Sequence, residues 1–320
     1  MSDLPTVVHL TEEGPREGFQ IEKHAIPTAR KIELIDALAD TGLRNINIVS
    51  FVNPKLVPGM TDADDVVRGI TPRPGVAYTG LWLNARGFER ALATGRLTVE
   101  GLITLSGSEP FLARNQNRTH EQHVADQHAM AELYRANGVA IAGGFIMAAF
   151  GCNFAGAVPV AHVVRLVGEL VEIAAEHGAA LPRVTLADTM AWGTPLAIKR
   201  AVSAVRECFG DIEVGLHLHD TRGMGIANAY AGLELGVAHF DASVAGLGGC
   251  PFAGHAGAAG NVCTEDLVFL CDELGIATGV DLERLVACAQ LAEDIVGHPL
   301  PGSVMRGGSL KRLRERVAVA

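Results

Sequence analysis

The sequence is short of positive charge and of long apolar runs. Lysine and arginine together number 26 against 36 acidic residues, for a formal net charge of −10, whereas nucleic-acid binding calls for clustered basic residues. No segment supplies the roughly 18 uninterrupted apolar residues of a membrane span. The N-terminus, MSDLPTVVHL, lacks the basic and apolar regions of a secretion signal. We therefore expect a cytoplasmic protein with neither nucleic acid nor a membrane as its partner.

Cysteine is also scarce. The six cysteines among 320 residues form no disulfide-scaffold pattern, which indicates a reducing compartment. Hydrophobic residues make up 48% of the chain and the mean hydropathy is +0.24, so a large core can form without crosslinks. No linker or charge block divides the sequence, which favours one domain. Residues 306–316 are locally basic and predict a solvated terminal helix, with a subunit contact as the alternative.

Short apolar runs alternate with amphipathic stretches about eight times along the chain. The apolar runs are residues 7–10, 46–51, 76–83, 102–105, 140–148, 184–186, 214–218 and 240–244. Helical periodicity marks most of the segments between them, including residues 28–41, 120–137, 160–177, 195–209 and 225–235. This alternation predicts an α/β protein, a (β/α)₈ TIM barrel over about residues 5–262, with additional C-terminal helices over about 264–320.

A pair of histidines is the strongest local signal. His217 and His219 end an apolar run in the segment VGLHLHDTRG and are followed by Asp220. On a strand, residues two apart project from the same face, so both imidazoles would point toward one site. A lone pair is also common in ordinary strands and loops, and the metal interpretation therefore needs partners elsewhere in the chain.

Polar residues follow several other predicted strands, at the barrel end where chemistry gathers. Candidates are Glu17 after strand one, Ser50 after strand two and Asp188 after strand six. The run GLGG at residues 246–249 has neither a P-loop lysine nor dinucleotide-loop spacing, and we interpret it as a flexible loop after strand eight.

Six segments in order resemble the hydroxymethylglutaryl-CoA lyase family of metal-dependent TIM-barrel enzymes. They are GPREGFQ, SFVNPKLVPGM, LADTMAWGTP, HLHDTRG, SVAGLGGCPF and GAAGNVCTEDL, and the resemblance extends over about residues 7–280. It implies retro-Claisen cleavage of a 3-hydroxy-3-methylglutaryl-CoA-like thioester to acetyl-CoA and a 3-keto acid. It also implies an acyl-CoA substrate, a homo-oligomer (dimer or tetramer) and a role in leucine catabolism.

The resemblance implies a four-residue metal site. Glu17, His217, His219 and Asn261 match the family's ligands, and two imidazoles with two oxygen donors suit Mg²⁺ or Mn²⁺. Zn²⁺ and Co²⁺ remain open. A metal with free coordination positions would bind the substrate's hydroxyl and distal carboxylate.

The resemblance also implies three catalytic side chains. Arg16 would stabilise charge on the enolate oxygen, with a surface ion pair as the alternative. Asp188 would take part in hydroxyl proton transfer, and a helix N-cap is its structural alternative. Cys250 would donate a proton from the glycine-rich loop, against the alternative of a small buried thiol. For Cys152 we favour core packing.

Two positions depart from the family pattern at the reacting centre. Glu17 stands where close members carry aspartate, and its extra methylene would move the carboxylate by roughly 1 to 1.5 Å unless the backbone adjusts. Asn47 stands in INIVSF where the family carries glutamate. Asparagine cannot take a proton and carries no charge, so we expect any acid/base or arginine-pairing role at this position to be lost.

Other candidate substrate-binding positions are less specific. Arg222 stands where the nearest relatives carry tyrosine and would bind a carboxylate or phosphate, or else form a surface ion pair. His255 lies in a loop two residues longer than usual, where a solvated side chain is the alternative. Gln20 and Ser50 complete the predicted substrate-binding set with Asn47.

Two further functions stay open on the sequence. The first is a related aldolase or acyl-CoA-condensing synthase acting on a different substrate. The second is a non-catalytic barrel that retains the metal site, which the departures at Glu17 and Asn47 motivate.

Overall fold

Eight parallel strands form one curled sheet at the centre of the molecule. The computed structural model describes residues 4–249 and 259–318. The sheet order is β3-β2-β1-β8-β7-β6-β5-β4. The strands are β1 (His9–Glu12), β2 (Asn45–Ser50), β3 (Ala77–Leu81), β4 (Gly101–Ser106), β5 (Ile141–Met147), β6 (Arg183–Ala187), β7 (Glu213–His217) and β8 (His239–Ala242).

The sheet curls until β3 and β4, the strands at its two edges, approach each other. β1 pairs with β8 along its whole length, from His9 beside His239 to Glu12 beside Ala242. β3 and β4 stand at the two ends of the order, and the Thr98 amide just before β4 donates to the Tyr78 carbonyl of β3 at 2.8 Å. The predicted (β/α)₈ TIM barrel is confirmed, and the carboxyl ends of all strands lie at one end of it.

Helices follow the strands in turn. The first nine are α1 (Thr28–Ala39), α2 (Ala63–Gly69), α3 (Ala85–Ala93), α4 (Glu109–Gln116), α5 (His120–Ala136), α6 (Val160–Glu176), α7 (Pro195–Cys208), α8 (Gly225–Leu233) and α9 (Thr264–Leu274). Short helical turns occur at Gly14–Gly18, Phe19–Ile21, Pro58–Met60 and Val244–Gly246. A short antiparallel hairpin pairs Gly151–Cys152 with Gly156–Ala157.

The sequence accounts for where these helices begin and which face they bury. In α6, Val163, Val167 and Leu170 repeat at helical spacing and are buried against the sheet layer. At the start of α5, Thr119 accepts the Gln122 amide at 3.2 Å, and the Gln122 side chain accepts the Thr119 amide at 3.0 Å. This capping box satisfies two amides that the first turn would otherwise leave without a partner.

The C-terminal segment is helical, as the sequence predicts. Beyond α9 it forms α10 (Leu282–Val296), α11 (Val304–Gly307) and α12 (Leu310–Ala318). α10 packs against α1, where Arg284 Nη1 donates to the Asp40 carbonyl at 3.0 Å. Because α9 directly follows β8 and its loop, it takes the place of a barrel helix, and the predicted boundary near residue 262 remains a prediction.

The cysteines that the structure describes are free thiols. Of the cysteines within residues 4–249 and 259–318, five are present and all are free: Cys152, Cys208, Cys263, Cys271 and Cys288. Cys152 is buried with Phe111, Ala148 and Met190, which confirms its packing role. In the same part of the chain, no helix combines the length and apolarity needed to cross a membrane.

Candidate metal centre

The predicted ligands converge at the carboxyl end of the barrel. Glu17 lies in the helical turn Gly14–Gly18 that follows β1, and His217 is the last residue of β7. One ligand atom from each of Glu17, His217 and His219 lies within 4.8 Å of the others. Glu17 Oε1 is 3.2 Å from His219 Nε2, and Glu17 Oε2 is 3.8 Å from His217 Nε2.

His219 belongs to this cluster although it lies outside β7, which the sequence did not reveal. It lies beyond the end of β7 and pairs with Asn261 through an isolated antiparallel bridge, so it does not share a regular strand with His217. The bridge brings Asn261 to Glu17, whose Oε1 accepts a hydrogen bond from Asn261 Nδ2 at 3.0 Å. Asn261 Nδ2 also donates to the Leu247 carbonyl at 3.2 Å.

The Nδ1 atom of each imidazole is close to an oxygen atom of the protein. His219 Nδ1 lies 2.7 Å from the Thr189 carbonyl oxygen, a contact that places the proton on Nδ1. His217 Nδ1 lies 3.2 Å from Asp241 Oδ2. Each contact turns the Nε2 atom toward Glu17 and fixes the ring, as the outer partners of metal-ligating histidines do.

The charged groups in the cluster change one another's pKa values. Burial by itself would raise the pKa of Glu17, but His217, His219 and Arg16 hold it well below its usual value. Burial by itself would lower the pKa of His217, but the hydrogen bond with Asp241 and the nearby Glu17 raise it to about 9. A carboxylate kept ionised beside imidazole nitrogens is a suitable donor set for a divalent cation.

Two further features fit a bound cation. Asn261 Oδ1 is buried and has no hydrogen-bond partner among the described residues, so a fourth oxygen donor is free beside the triad. Gly248 lies against the cluster with φ +90°, and a Cβ at this position would come within 2.8 Å of Asn261 Nδ2. Only glycine therefore allows the loop after β8 to approach the ligands so closely.

Arg16 lies beside the triad in a buried cluster of charges. Its Nη1 is 3.2 Å from Glu17 Oε2, and its Nη2 donates to Glu13 Oε2. Asn47 joins the cluster by donating from Nδ2 to Glu13 Oε1 at 3.3 Å. Burial raises the pKa of Glu13, and the guanidinium of Arg16 opposes that shift. The Arg16 side chain is 13% exposed, so the guanidinium is held in place by protein groups.

Asp188 follows β6 and is buried. Its Oδ1 accepts the Trp192 amide at 2.7 Å and the Gly193 amide at 2.8 Å, while Oδ2 is buried without a hydrogen-bond partner among the described residues. Burial raises its pKa. The helix that follows is capped by Thr194, so the N-cap alternative for Asp188 is wrong, and one carboxylate oxygen is left to accept a proton.

Three further predicted substrate-binding residues, Gln20, Ser50 and Arg222, belong to the described part of the chain. Gln20 Oε1 and Ser50 Oγ are both buried and have no hydrogen-bond partner within residues 4–249 and 259–318. Arg222 Nη1 donates to the carbonyls of Met190 and Ala191, at 3.1 and 2.9 Å, and so braces the loop after β6. Its substrate-binding role stays a prediction. Cys250 and His255 lie outside the described residues.

Sequence reasoning missed two residues that shape the site. Glu13 follows Glu12 at the end of β1, and this acidic pair, one residue beyond an apolar run, was a visible signal. Asp241 lies in β8, where its partner across the sheet is His217. That contact depends on the register of two strands, which a single sequence does not reveal.

A second pair of buried acids, Glu12 and Glu265, accepts hydrogen bonds from the start of the loop after β8. Glu12 accepts the Val244 amide at 2.8 Å and the Thr264 hydroxyl at 2.6 Å, and burial raises its pKa to about 7. Glu265 accepts the Ala245 amide at 2.9 Å, and burial raises its pKa to about 8. These bonds tie β1 and α9 to the segment that leads to Gly248.

Glu265 should make stability depend on pH. The folded carboxyl keeps its proton up to about pH 8, whereas the unfolded one releases it near 4.5. Between these values the folded state binds more protons than the unfolded state. The contribution of Glu265 to the free energy of unfolding is therefore largest below pH 4.5 and decreases as the pH rises toward 8. The unfolding free energy of the wild type minus that of Glu265→Gln should fall by about 1.4 kcal/mol per pH unit in this window.

Urea unfolding at several pH values, with a chelator in every sample, measures this difference. Glu100→Gln makes the same chemical change at an exposed position and should run parallel to the wild type. A constant difference between the wild type and Glu265→Gln across the window would contradict the assignment.

Comparison with known proteins agrees with this geometry. Residues 7–292 match the HMGL-like family model. Mitochondrial hydroxymethylglutaryl-CoA lyase from Rattus norvegicus is 40% identical over 286 residues, which cover 89% of this chain and 85% of that protein. The crystal structure of hydroxymethylglutaryl-CoA lyase from Pseudomonas aeruginosa superposes with a TM-score of 0.86 at 38% identity, covering 95% of this chain and 98% of that one.

A second similar structure contains ligands. It is an HMG-CoA lyase from Acinetobacter baumannii in complex with coenzyme A and 3-methylmalate, with a TM-score of 0.84, 36% identity and coverage of 95% of this chain and 96% of that one. The family match includes every residue of the triad and Asn261. The chain therefore belongs to the HMGL-like family and is a carbon–carbon lyase.

Proposed function

We propose that the protein cleaves 3-hydroxy-3-methylglutaryl-CoA to acetyl-CoA and acetoacetate by a divalent-metal-dependent retro-Claisen reaction. The observation that carries the proposal is the cluster of Glu17, His217 and His219, with Arg16 on its flank. Beside it lies Asn261 Oδ1, which has no hydrogen-bond partner in the part of the chain that the structure describes. The relatives named above are lyases of this thioester, and one was solved with coenzyme A.

The metal ligands would be Glu17, His217, His219 and Asn261. A divalent cation held there supplies Lewis acidity, which lowers the pKa of a coordinated hydroxyl and orients the substrate. Two oxygen and two nitrogen donors support Mg²⁺ or Mn²⁺ as the ion, with Zn²⁺ or Co²⁺ as the alternatives.

The protein's own side chains would divide the remaining work. Asp188 takes the proton of the substrate's tertiary hydroxyl on Oδ2, which has no partner among the described residues, and the electron pair of that O–H bond forms the ketone of acetoacetate. The broken C–C bond leaves its electrons on the thioester fragment as an enolate. Arg16 stabilises the enolate oxygen. Cys250, whose role comes from the family resemblance, returns a proton to the enolate carbon and completes acetyl-CoA.

Incubation of the purified protein with the thioester tests the proposal. Protein stripped by chelator and reloaded with Mg²⁺ or Mn²⁺ should produce acetoacetate and acetyl-CoA in equal amounts, and unloaded protein should produce neither. Related 3-hydroxyacyl thioesters belong in the same assay, because Glu17 and Asn47 depart from the family pattern. The proposal fails if no metal-dependent cleavage occurs with any of them.

Several finer expectations belong to this proposal. The five cysteines within the described residues are free, which supports a reducing compartment such as the cytoplasm. A dimer or tetramer and a role in leucine catabolism follow from the family resemblance alone. Light scattering after gel filtration measures the oligomeric state, and the mass of a single chain is 33.6 kDa.

A further inference from the structure

The second strand lacks an acidic side chain at the position where the family resemblance predicts one. Asn47 stands there, and its Nδ2 donates to Glu13 Oε1 at 3.3 Å. Glu13 directly follows β1, and β1 pairs with β2 through Glu12 beside Ile46. A carboxylate that directly follows the first strand thus lies beside the uncharged amide of the second.

Glu13 is also a partner of Arg16. Its Oε2 accepts a hydrogen bond from Arg16 Nη2, and the two side chains are only 6% and 13% exposed. The other terminal nitrogen, Arg16 Nη1, is 3.2 Å from Glu17 Oε2. Glu17 is shared with both histidines and Asn261. When Glu17 binds a cation, the hydrogen bond with Glu13 remains to fix the guanidinium.

We propose that Glu13 is the positioning residue for Arg16, and that it supplies from β1 the carboxylate that Asn47 does not supply from β2. Glu13 acts through Arg16 and needs no contact with the substrate. The inference rests on the proposed function, in which Arg16 stabilises the enolate oxygen.

The geometry also explains why position 47 is an amide. The side chains at positions 13 and 47 are within hydrogen-bond distance, and both are largely removed from water. Two carboxylates this close would repel each other and could not both stay ionised. An amide at position 47 donates to Glu13 instead, so the cluster holds an acid at one of the two positions.

Charge removal at position 13 is the first test. Glu13→Gln keeps the shape of the side chain, and kcat for 3-hydroxy-3-methylglutaryl-CoA should fall by about 10- to 100-fold, as for other groups that orient an active-site residue. KM and metal content should stay close to those of the wild type. Glu13→Asp keeps the charge and should retain more activity than Glu13→Gln, whereas a role in packing alone predicts the reverse order. Glu100→Gln is the matched surface control.

Transfer of the carboxylate between strands is the second test. The double variant Glu13→Gln/Asn47→Glu should recover at least about tenfold of the lost kcat, because a charged partner again lies beside Arg16. Asn47→Glu alone should be less active than the wild type, because it places two acids side by side. A wild-type kcat in Glu13→Gln, or a folded double variant no better than that single variant, would overturn the inference. If the double variant does not fold, the order of Glu13→Asp and Glu13→Gln decides.

Crystal structures of the Mn²⁺-loaded variants give a readout that does not depend on turnover. The guanidinium of Arg16 should leave its position in Glu13→Gln and return to it in the double variant. An unmoved guanidinium in Glu13→Gln would overturn the inference. A wild-type protein without turnover would instead refute the proposed function, and the position of Arg16 would still decide the role of Glu13.

Discussion

Replacement of His219 by alanine is expected to abolish stoichiometric binding of a divalent cation and to lower kcat/KM by about 10³-fold or more. A catalytic metal contributes several kcal/mol of charge stabilisation, and each 1.36 kcal/mol is about tenfold in rate. His219 presents Nε2 to Glu17 at 3.2 Å while Nδ1 is held by the Thr189 carbonyl. Alanine removes this nitrogen donor, so the remaining proposed ligands would bind the cation more weakly. Metal analysis after dialysis and an acetoacetate assay measure the two effects.

His298→Ala is the matched control for this variant. His298 is exposed, pairs with Glu22 at 3.1 Å and is not a member of the triad. Its loss should leave metal content and turnover unchanged. If the His219 variant retained both a full equivalent of metal and wild-type turnover, the assignment of the site would be wrong.

Arg16→Gln is expected to lower kcat by about 10²- to 10³-fold with KM little changed, the usual cost of removing one preorganised donor to a developing oxyanion. An interaction made only in the transition state reduces kcat without a matching change in ground-state affinity. Arg16 is not one of the proposed metal ligands, so the variant should still bind its cation. Steady-state kinetics together with metal analysis separate this outcome from that of His219→Ala.

Two further variants calibrate the arginine experiment. Arg16→Lys keeps the charge but lacks the planar fork that meets Glu13 and Glu17 together, so its kcat should fall between those of the wild type and the glutamine variant. Arg68→Gln removes an exposed arginine that pairs with Asp65 and should be neutral. A purely structural role for Arg16 predicts a lowered melting temperature with unchanged kcat per folded molecule.

The periodicity of the sequence was sufficient to predict the barrel. Apolar runs such as residues 184–186 and 214–218 became β6 and β7, because a parallel strand covered on both faces requires continuous apolar residues. The helices followed from apolar spacing of the kind seen in α6. The C-terminal segment was predicted as helical, but periodicity could not tell that α9 occupies the place after β8.

The candidate metal site could be predicted in its members and less well in its geometry. Glu17, His217 and His219 were identified because polar residues at the carboxyl ends of barrel strands share one surface. The structure placed His219 outside β7 and joined it to Asn261 through a bridge. Asp188 was identified, but its hydrogen bonds to Trp192 and Gly193 depend on a loop conformation that residue patterns do not specify.

The sequence by itself determined the fold class, the family resemblance and the donor types of the metal site, since these depend on residue periodicity and on motifs contiguous in the chain. Only the tertiary structure showed that Glu13, in addition to Glu17, lies beside Arg16. The sequence showed an amide at Asn47 and implied a lost acid, whereas the folded chain places Glu13 from the neighbouring strand beside that amide. The reason is physical. The alignment of β1 with β2 and the turn that follows β1 set the distance between positions 13 and 47, and both arise from packing across the barrel.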